Sequence, residues 1–401
     1  MRSDPARLSF EIVARDGDAR AGVLRTPRGS VETPCFVPLA TRGSVKGLVP
    51  DEVADAGYGM VLGNTYHLML RPGGERIATL GGLHRFMGWE GPIITDSGGF
   101  QVFSLAFGGV ADEITGRRGR PPLDGGVLGI DEEGVRFRSY IDGSERFLSP
   151  ERSMELQAQL GSDIAVAFDE CTPYHADYDY TARSTERTLR WLERCLDWHR
   201  DGGPPGQAVF GIVQGGVHEE LRRASAEATA AAAVDGIAIG GTLGRDKEQM
   251  GAVVAMTAAM TPPAAARHLL GIGEPDDLVD GIAVGIDSFD CAVPTRLARH
   301  GMVLAPLPDR RYRYDVRRRA HESEPGPLVT GCPCAACTRF SRAYLHHLSR
   351  AEEMTGARLL TIHNLVYSQR LVAGAREAII AGRLSAYRES IHAGAAPWEA
   401  S

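Results

Sequence analysis

Pro92-Ile-Ile-Thr-Asp-Ser-Gly-Gly-Phe-Gln-Val-Phe-Ser104 decides how the rest of the 401-residue chain is read. Ile93 and Ile94 form a short β-branched run of the kind that fills a buried parallel strand. Asp96, Ser97, Gly98 and Gly99 follow at once, so a carboxylate and a permissive backbone meet where that strand ends. Taken alone, the stretch reads as a strand followed by a turn in which Asp96 bonds its own backbone. Its companions elsewhere in the chain turn that reading towards a ligand site.

The pattern recurs. Brief apolar runs that end in Gly or a polar residue, each followed by a helical segment, occur at residues 60–65, 93–96, 164–171, 209–214, 236–241, 268–273 and 288–291. Strand-length runs alternating with helical spacers imply a parallel sheet. Ser149-Pro150 supplies an N-cap and a first-turn proline to one spacer, and residues 224–233 are rich in alanine. Seven or eight such units predict an α/β fold, a closed (β/α)8 TIM barrel whose functional groups gather at the C-terminal strand ends. An open doubly wound sheet is the alternative, but these strand ends lack the spaced glycines of a dinucleotide site. Residues 8–38 read as paired strands that cap the barrel.

Two interruptions stand out. Residues 106–129, rich in Gly, Pro and Arg, have no periodicity and read as a long mobile loop, after which Asp142-Gly143 marks a hairpin. The second begins after Asp290 and holds Arg310-Arg-Tyr-Arg-Tyr-Asp-Val-Arg-Arg-Arg319, a cysteine cluster, and an amphipathic helix over residues 340–354 with Phe340, Tyr344 and Leu348 on one stripe. A net charge of −7 argues against bulk affinity for nucleic acid but leaves room for a local basic face. Residues 296–319 carry eight arginines against Asp309 and Asp315, and predict such a face, with Tyr312 and Tyr314 adding stacking or packing. No apolar run reaches membrane-spanning length and Met1-Arg-Ser-Asp-Pro-Ala-Arg7 lacks a signal-peptide core, so the expectation is a cytoplasmic protein with no membrane partner.

Cys332-Pro-Cys-Ala-Ala-Cys337 places three thiolates within six residues. A tight turn can wrap that spacing around one tetrahedral ion at about 2.3 Å per sulfur. The fourth ligand is then His346 or His347 on the following helix, or His363; spacing favours His363 only mildly, because the adjacent pair arrives too soon. Four protein ligands close the site, so the expected cofactor is one structural zinc ion that activates no water.

Thr95-Asp-Ser-Gly-Gly-Phe-Gln101, Phe168-Asp-Glu-Cys-Thr-Pro-Tyr174, Phe289-Asp-Cys291 with Pro294-Thr-Arg296, and the Cys/Cys/Cys/His set together resemble the bacterial tRNA-guanine transglycosylases. The resemblance implies a barrel over residues 1–300 and 364–395, with a zinc subdomain inserted at 301–363, working as a homodimer on the anticodon loop of tRNA. The implied reaction exchanges guanine at the wobble position of GUN-anticodon tRNAs (Asp, Asn, His, Tyr) for 7-aminomethyl-7-deazaguanine, a step in queuosine biosynthesis. It implies Asp290 as nucleophile and Asp96 as proton donor and acceptor, in a loop with Ser97, Gly98 and Gly99. Asp169 would grip the base edge, with Gln214 and Gly241 as further base contacts and Phe100 and Leu270 sandwiching the base. Gly271, Glu274, Asp277, Thr295, Arg296 and Arg299 would face the RNA, and His363 matches the fourth zinc ligand.

These roles make chemical sense. Exchanging a base without cutting the strand needs a covalent ribosyl intermediate, which one carboxylate can form. A second must carry a proton in both directions, as in retaining glycosidases. Reading a purine-like base through its Watson–Crick edge suits an acceptor such as Asp169, with an aromatic face to stack on. The chain departs from the bacterial pattern at Thr242-Leu-Gly-Arg245, at Glu274 where a lysine is common, and in the length of the 106–129 loop. Cys171 resembles enzymes that take 7-aminomethyl-7-deazaguanine, with queuine as the alternative incoming base. A non-catalytic tRNA-binding partner would not need Asp96, Asp169 and Asp290 together, and a barrel glycosidase would not need the zinc module.

Overall fold

Apolar strand runs alternating with helices close on themselves here. In the computed structural model, which describes residues 7–107, 126–241 and 244–400, β1 (Ser9–Asp16), β2 (Ala19–Thr26) and β3 (Gly29–Thr33) form an antiparallel sheet. The barrel follows as β4 (Cys35–Ala40), β5 (Val61–Gly63) and β6 (Ile93–Thr95). A second antiparallel sheet, β7 (Val127–Ile130), β8 (Val135–Arg138) and β9 (Glu145–Leu148), interrupts it. The barrel resumes with β10 (Ile164–Val166), β11 (Ala208–Val213), β12 (Gly236–Ile239), β13 (Arg267–Leu269) and β14 (Ser288–Cys291). All eight barrel strands pair in parallel, neighbour to neighbour, and β14 closes the circle on β4 with Ser288 opposite Cys35. This is the (β/α)8 fold that the strand spacing predicts.

The cap ends earlier than expected. Residues 35–38 pair with β14 and form the first barrel strand. Pro38 conceals this in the sequence, because a proline argues against a central strand wherever the ladder needs its N–H. At the barrel's lower end Arg20 of β2 is fully buried and forks onto Asp287, just before β14. It also donates to the carbonyls of Pro263 and Ala265, at 2.7 and 2.6 Å.

Alternation along each strand separates two layers. Val37, Leu62, Ile94, Val166, Ile212 and Ala238 share the inner core, with Leu8 and Leu24 of the cap beneath them. Val61, Ile93, Leu269 and Phe289 face the helices outside. Helix starts follow capping chemistry: Ser149 Oγ accepts from Arg152 N at 3.2 Å before Pro150–Leu160, and Asp177 accepts from Tyr180 N at 2.7 Å before Tyr178–Gly202.

Beyond β14 a smaller core collects Val303, Val316, Leu328, Leu345, Leu348 and the three clustered cysteines. The hairpin of β15 (Met302–Leu304) and β16 (Arg313–Asp315) borders it. The expected helix over 340–354 is shorter, Arg342–Arg350, because Ser341 caps it by accepting from Tyr344 N at 3.1 Å. Its buried stripe is Leu345 and Leu348, while Phe340 and Tyr344 stack on each other at 5.5 Å and Tyr344 stays exposed. One long helix, Met354–Ile380, then runs continuously from the cysteine cluster to the barrel wall. The loop read over 106–129 lies largely outside the described residues, at 108–125. No helix among the described residues is long and apolar enough to cross a membrane.

Candidate active site and metal centre

At the C-terminal strand ends a cavity of about 270 Å³ opens. Asp96, just past β6, and Asp290, in β14, both line it, as do Ser97, Phe100 and Asp169. So do Gly241, Leu270, Gly271, Glu274, Asp277 and Arg296. Residues separated by nearly two hundred positions therefore share one wall, as the barrel topology requires.

Asp96 is held by donors. Thr65 N–H donates to its Oδ1 at 2.9 Å, Gln101 Nε2 donates to Oδ2 at 3.2 Å, and the Asn64 amide also donates to Oδ2. Burial pushes its pKa up to about 7; the Thr65 amide opposes this, the nearby charge of Asp290 adds to it, and Gln101 opposes it again. A carboxyl poised there exchanges a proton readily near neutrality. Asn64, Thr65 and Gln101 thus join the site beyond the residues that the resemblance implies. Asn64 and Thr65 follow the strand-end glycine Gly63, as Asp96 follows β6, and that position is their signal in the sequence.

Asp169 sits deeper. Its Oδ1 accepts from Ser97 Oγ at 3.1 Å and its Oδ2 from Gln214 Nε2 at 2.6 Å. Burial raises it to about 6 against the pull of Gln214 and Ser97. Gln214 stands behind Asp169, outside the cavity lining, with its own Oε1 buried and without a hydrogen-bond partner among the described residues. Two glycines make the approach possible. A Cβ on Gly99 would lie 2.7 Å from the Asp169 carbonyl oxygen. One on Gly241, where φ is +85°, would lie 2.3 Å from Gln214 Oε1. Gly98 precedes Gly99 in the same turn, and Phe100 opens the helix Gly99–Phe107 with its ring half exposed beside the cavity.

The residues expected to face RNA divide. Arg296 and Arg299 are exposed on the helix Val293–Arg299, and neither has a carboxylate within ion-pair distance among the described residues. Thr295 is buried, its hydroxyl donating to Ala292 O at 3.3 Å. Glu274, the departure from lysine, accepts from Arg313 at 3.0 Å, so the arginine run supplies its counter-charge. Asp277 pairs with Lys247 at 3.0 Å, and burial pushes it up to about 7 against that lysine. Farther along the run Arg317 forks onto Asp315 at 2.9 Å and Arg319 reaches Glu322 at 3.6 Å, so both are occupied. Tyr312 is buried and Tyr314 donates to Leu328 O at 2.9 Å, so both pack inward and neither offers a stacking face. Of Thr242-Leu-Gly-Arg245, Thr242 and Leu243 lie outside the described residues, and Arg245 pairs with Asp246 at 3.1 Å.

Cys332, Cys334, Cys337 and His363 bring their ligand atoms within 4.8 Å of one another. His363 Nδ1 lies 3.5, 3.6 and 3.3 Å from the three sulfurs in turn. A tetrahedron with limbs of about 2.1 Å to nitrogen and 2.3 Å to sulfur has N···S edges of about 3.6 Å, so the four groups fit a zinc-sized ion. The other ring nitrogen, Nε2, donates to Leu304 O at 2.8 Å, which fixes the tautomer and leaves Nδ1 free to ligate. His346 bonds Val316 O at 2.9 Å and His347 is exposed, so neither reaches the cluster.

Known proteins resemble this chain over nearly its whole length. The family model described as Queuine tRNA-ribosyltransferase matches residues 16–396. A protein of Roseiflexus sp. named queuine tRNA-ribosyltransferase is 52% identical over 392 residues, covering 95% of this chain and 98% of its own. Proteins of the same name from Cereibacter sphaeroides and Pseudomonas putida are each 46% identical, over 388 and 387 residues, covering 96% of this chain and 96% and 97% of their own.

Proposed function

The chain belongs to the queuine tRNA-ribosyltransferase family, and from that membership we propose that it exchanges guanine at the wobble position of GUN-anticodon tRNAs for 7-aminomethyl-7-deazaguanine. The observation that carries this reading is the meeting of Asp96, Asp169 and Asp290 on one cavity at the barrel mouth, with Asp96 poised near neutrality.

In the proposed sequence a carboxylate oxygen of Asp290 attacks the anomeric carbon of the target nucleotide and the glycosidic bond breaks. The departing guanine takes the bond's electron pair and a proton from Asp96. The incoming base gives a proton to Asp96, attacks the same carbon and expels Asp290, which restores both carboxyls. Asp169 and Gln214 read the base edge, while Phe100 and Leu270 cover its faces. Arg296 and Arg299 hold phosphates of the anticodon loop. The cysteine and histidine cluster takes one structural zinc ion, which contributes folding free energy and no reaction step.

Cys171, the position on which the resemblance separates the two incoming bases, lines the cavity. That supports 7-aminomethyl-7-deazaguanine ahead of queuine. The test is incorporation of each labelled base into a tRNA bearing guanine at the wobble position. Release of guanine with uptake of the aminomethyl base supports the reading, preferential uptake of queuine replaces the substrate, and uptake of neither overturns it.

A further inference from the structure

Strands β13 and β14 differ from the rest of the barrel in what they turn inward. Elsewhere the inner layer is Val37, Leu62, Ile94, Val166, Ile212 and Ala238. On these two strands Leu269 and Phe289 belong to the outer core, so alternation turns His268, Ser288 and Asp290 inward. His268 and Ser288 are register partners. The ring of His268 is fully buried between the two others, with Nδ1 2.8 Å from Ser288 Oγ and Nε2 3.1 Å from Asp290 Oδ1. A buried polar row replacing apolar packing needs a reason, because each member costs desolvation unless its partners satisfy it.

We propose that His268 is the positioning residue of the Asp290 carboxylate, holding it by Oδ1 so that Oδ2 is the oxygen that bonds the anomeric carbon. A carboxylate only accepts, so Nε2 carries a hydrogen and donates, while a hydroxyl can partner Nδ1 as donor or acceptor. Gly271 N–H donates to the same Oδ1 at 3.2 Å. No hydrogen bond among the described residues reaches Oδ2. Neither His268 nor Ser288 lines the cavity, whereas Asp290 does, so His268 acts through the carboxylate and touches no substrate. In the step it serves, the Oδ2–C1′ bond forms, the C1′–N9 bond breaks with its electron pair leaving on guanine, and the proton for that base comes from Asp96. Oδ1 becomes the ester carbonyl oxygen, with both donors still in place.

The inference rests on the reading of Asp290 as nucleophile, and the experiment separates the two. Single-turnover formation of the denaturation-resistant protein–RNA adduct is followed at saturating tRNA, with KM for tRNA and the thermal midpoint, in wild type, His268→Leu, His268→Gln and Ser288→Ala. Loss of a donor to a charged group predicts roughly 10- to 100-fold slower adduct formation in His268→Leu, with KM nearly unchanged. His268→Gln, whose amide N–H can replace Nε2, is expected to recover most of that rate. Ser288→Ala frees the ring and is expected to slow the step less than His268→Leu; it tests the row should the leucine variant fail to fold. Adduct formation at the wild-type rate in a folded His268→Leu or, failing that, in Ser288→Ala overturns the inference alone. So does a glutamine variant as slow as the leucine one with an equally lowered midpoint, which would mark His268 as packing. Absence of any adduct in the wild type overturns the nucleophile reading itself.

Discussion

Thr65 is fastened to Asp96 twice: its backbone N–H donates to the carboxylate at 2.9 Å, and its hydroxyl donates to the Asp96 carbonyl at 2.6 Å. The end of β5 thus holds a residue at the end of β6 by both main chain and side chain, and the carboxylate cannot swing away from the cavity. Burial raises Asp96 to about 7 in spite of these donors. Adduct formation at subsaturating tRNA needs the protonated form, so it should be fast below about 7 and fall as pH rises through that value. Gln101→Met removes a donor that favours the charged form, and the falling limb should move to higher pH. Rate–pH profiles of the two proteins check this; a limb that stays put or moves down separates Gln101 from the tuning. The same raised pKa makes the ionised carboxylate a cost to the fold. Its stabilising contribution is full below the ordinary value of 3.8 and is lost as pH rises through about 7.

Asp290→Asn keeps an acceptor for His268 and Gly271 but removes the nucleophilic charge. Base exchange should fall below detection, and no adduct should survive denaturation. Undiminished adduct on a denaturing gel would take Asp290 out of the role. A bound complex should show the Asp96 and Asp290 carboxyls about 5 to 5.5 Å apart, the separation of a double-displacement site.

Cys334→Ser replaces one of four side chains whose candidate ligand atoms lie within 4.8 Å of one another. Purified wild type should contain about one zinc per chain, and the variant should lose it. Protection from hydrogen exchange should drop across residues 300–370, while any folded remainder keeps its chemistry. Metal analysis that finds no zinc in the wild type refutes the assignment.

Arg20→Met leaves Asp287 buried without its guanidinium. Asp287 is already pushed up to about 6 by burial, with Arg20 the main opposing influence. Breaking a buried pair by removing one partner costs about 3 to 5 kcal/mol, so the urea midpoint should fall while activity of the folded fraction persists. An unchanged midpoint would mean that the three-stranded cap is held by its apolar packing alone.

Replacing Arg296 and Arg299 with alanine should weaken tRNA binding and lower the salt slope of log affinity by about 0.7 for every phosphate no longer neutralised. The exchange rate at saturating tRNA should change little. Arg317→Ala should do less, because Arg317 already forks onto Asp315 at 2.9 Å. If the Arg317 variant shows the larger loss, the RNA lies farther out along the run.

Features encoded within one short segment were legible in the residues. The strand-end carboxylates, the Ser149 cap and the three-cysteine turn depend on neighbours a few positions away, and covalent geometry with local hydrogen bonding carries that information. Recurrence of the strand–helix unit was enough for the barrel, though Pro38 hid the first strand inside what reads as the cap. What spacing left open was the histidine that joins the three cysteines. In the tertiary structure His363 has its Nε2 on a carbonyl 59 residues away and its Nδ1 facing three sulfurs.

The chain alone implied that carboxylates would stand at strand ends and that a cysteine cluster able to hold a metal ion would follow the last of them. Only closure of the barrel decided which of those groups meet. It set Gln214 on Asp169, paired Glu274 with Arg313, and put His268 beneath Asp290. The physical reason is distance along the chain: partners about twenty or more residues apart are joined by strand register and helix packing. A side chain's burial and charge balance exist only once those partners are in place.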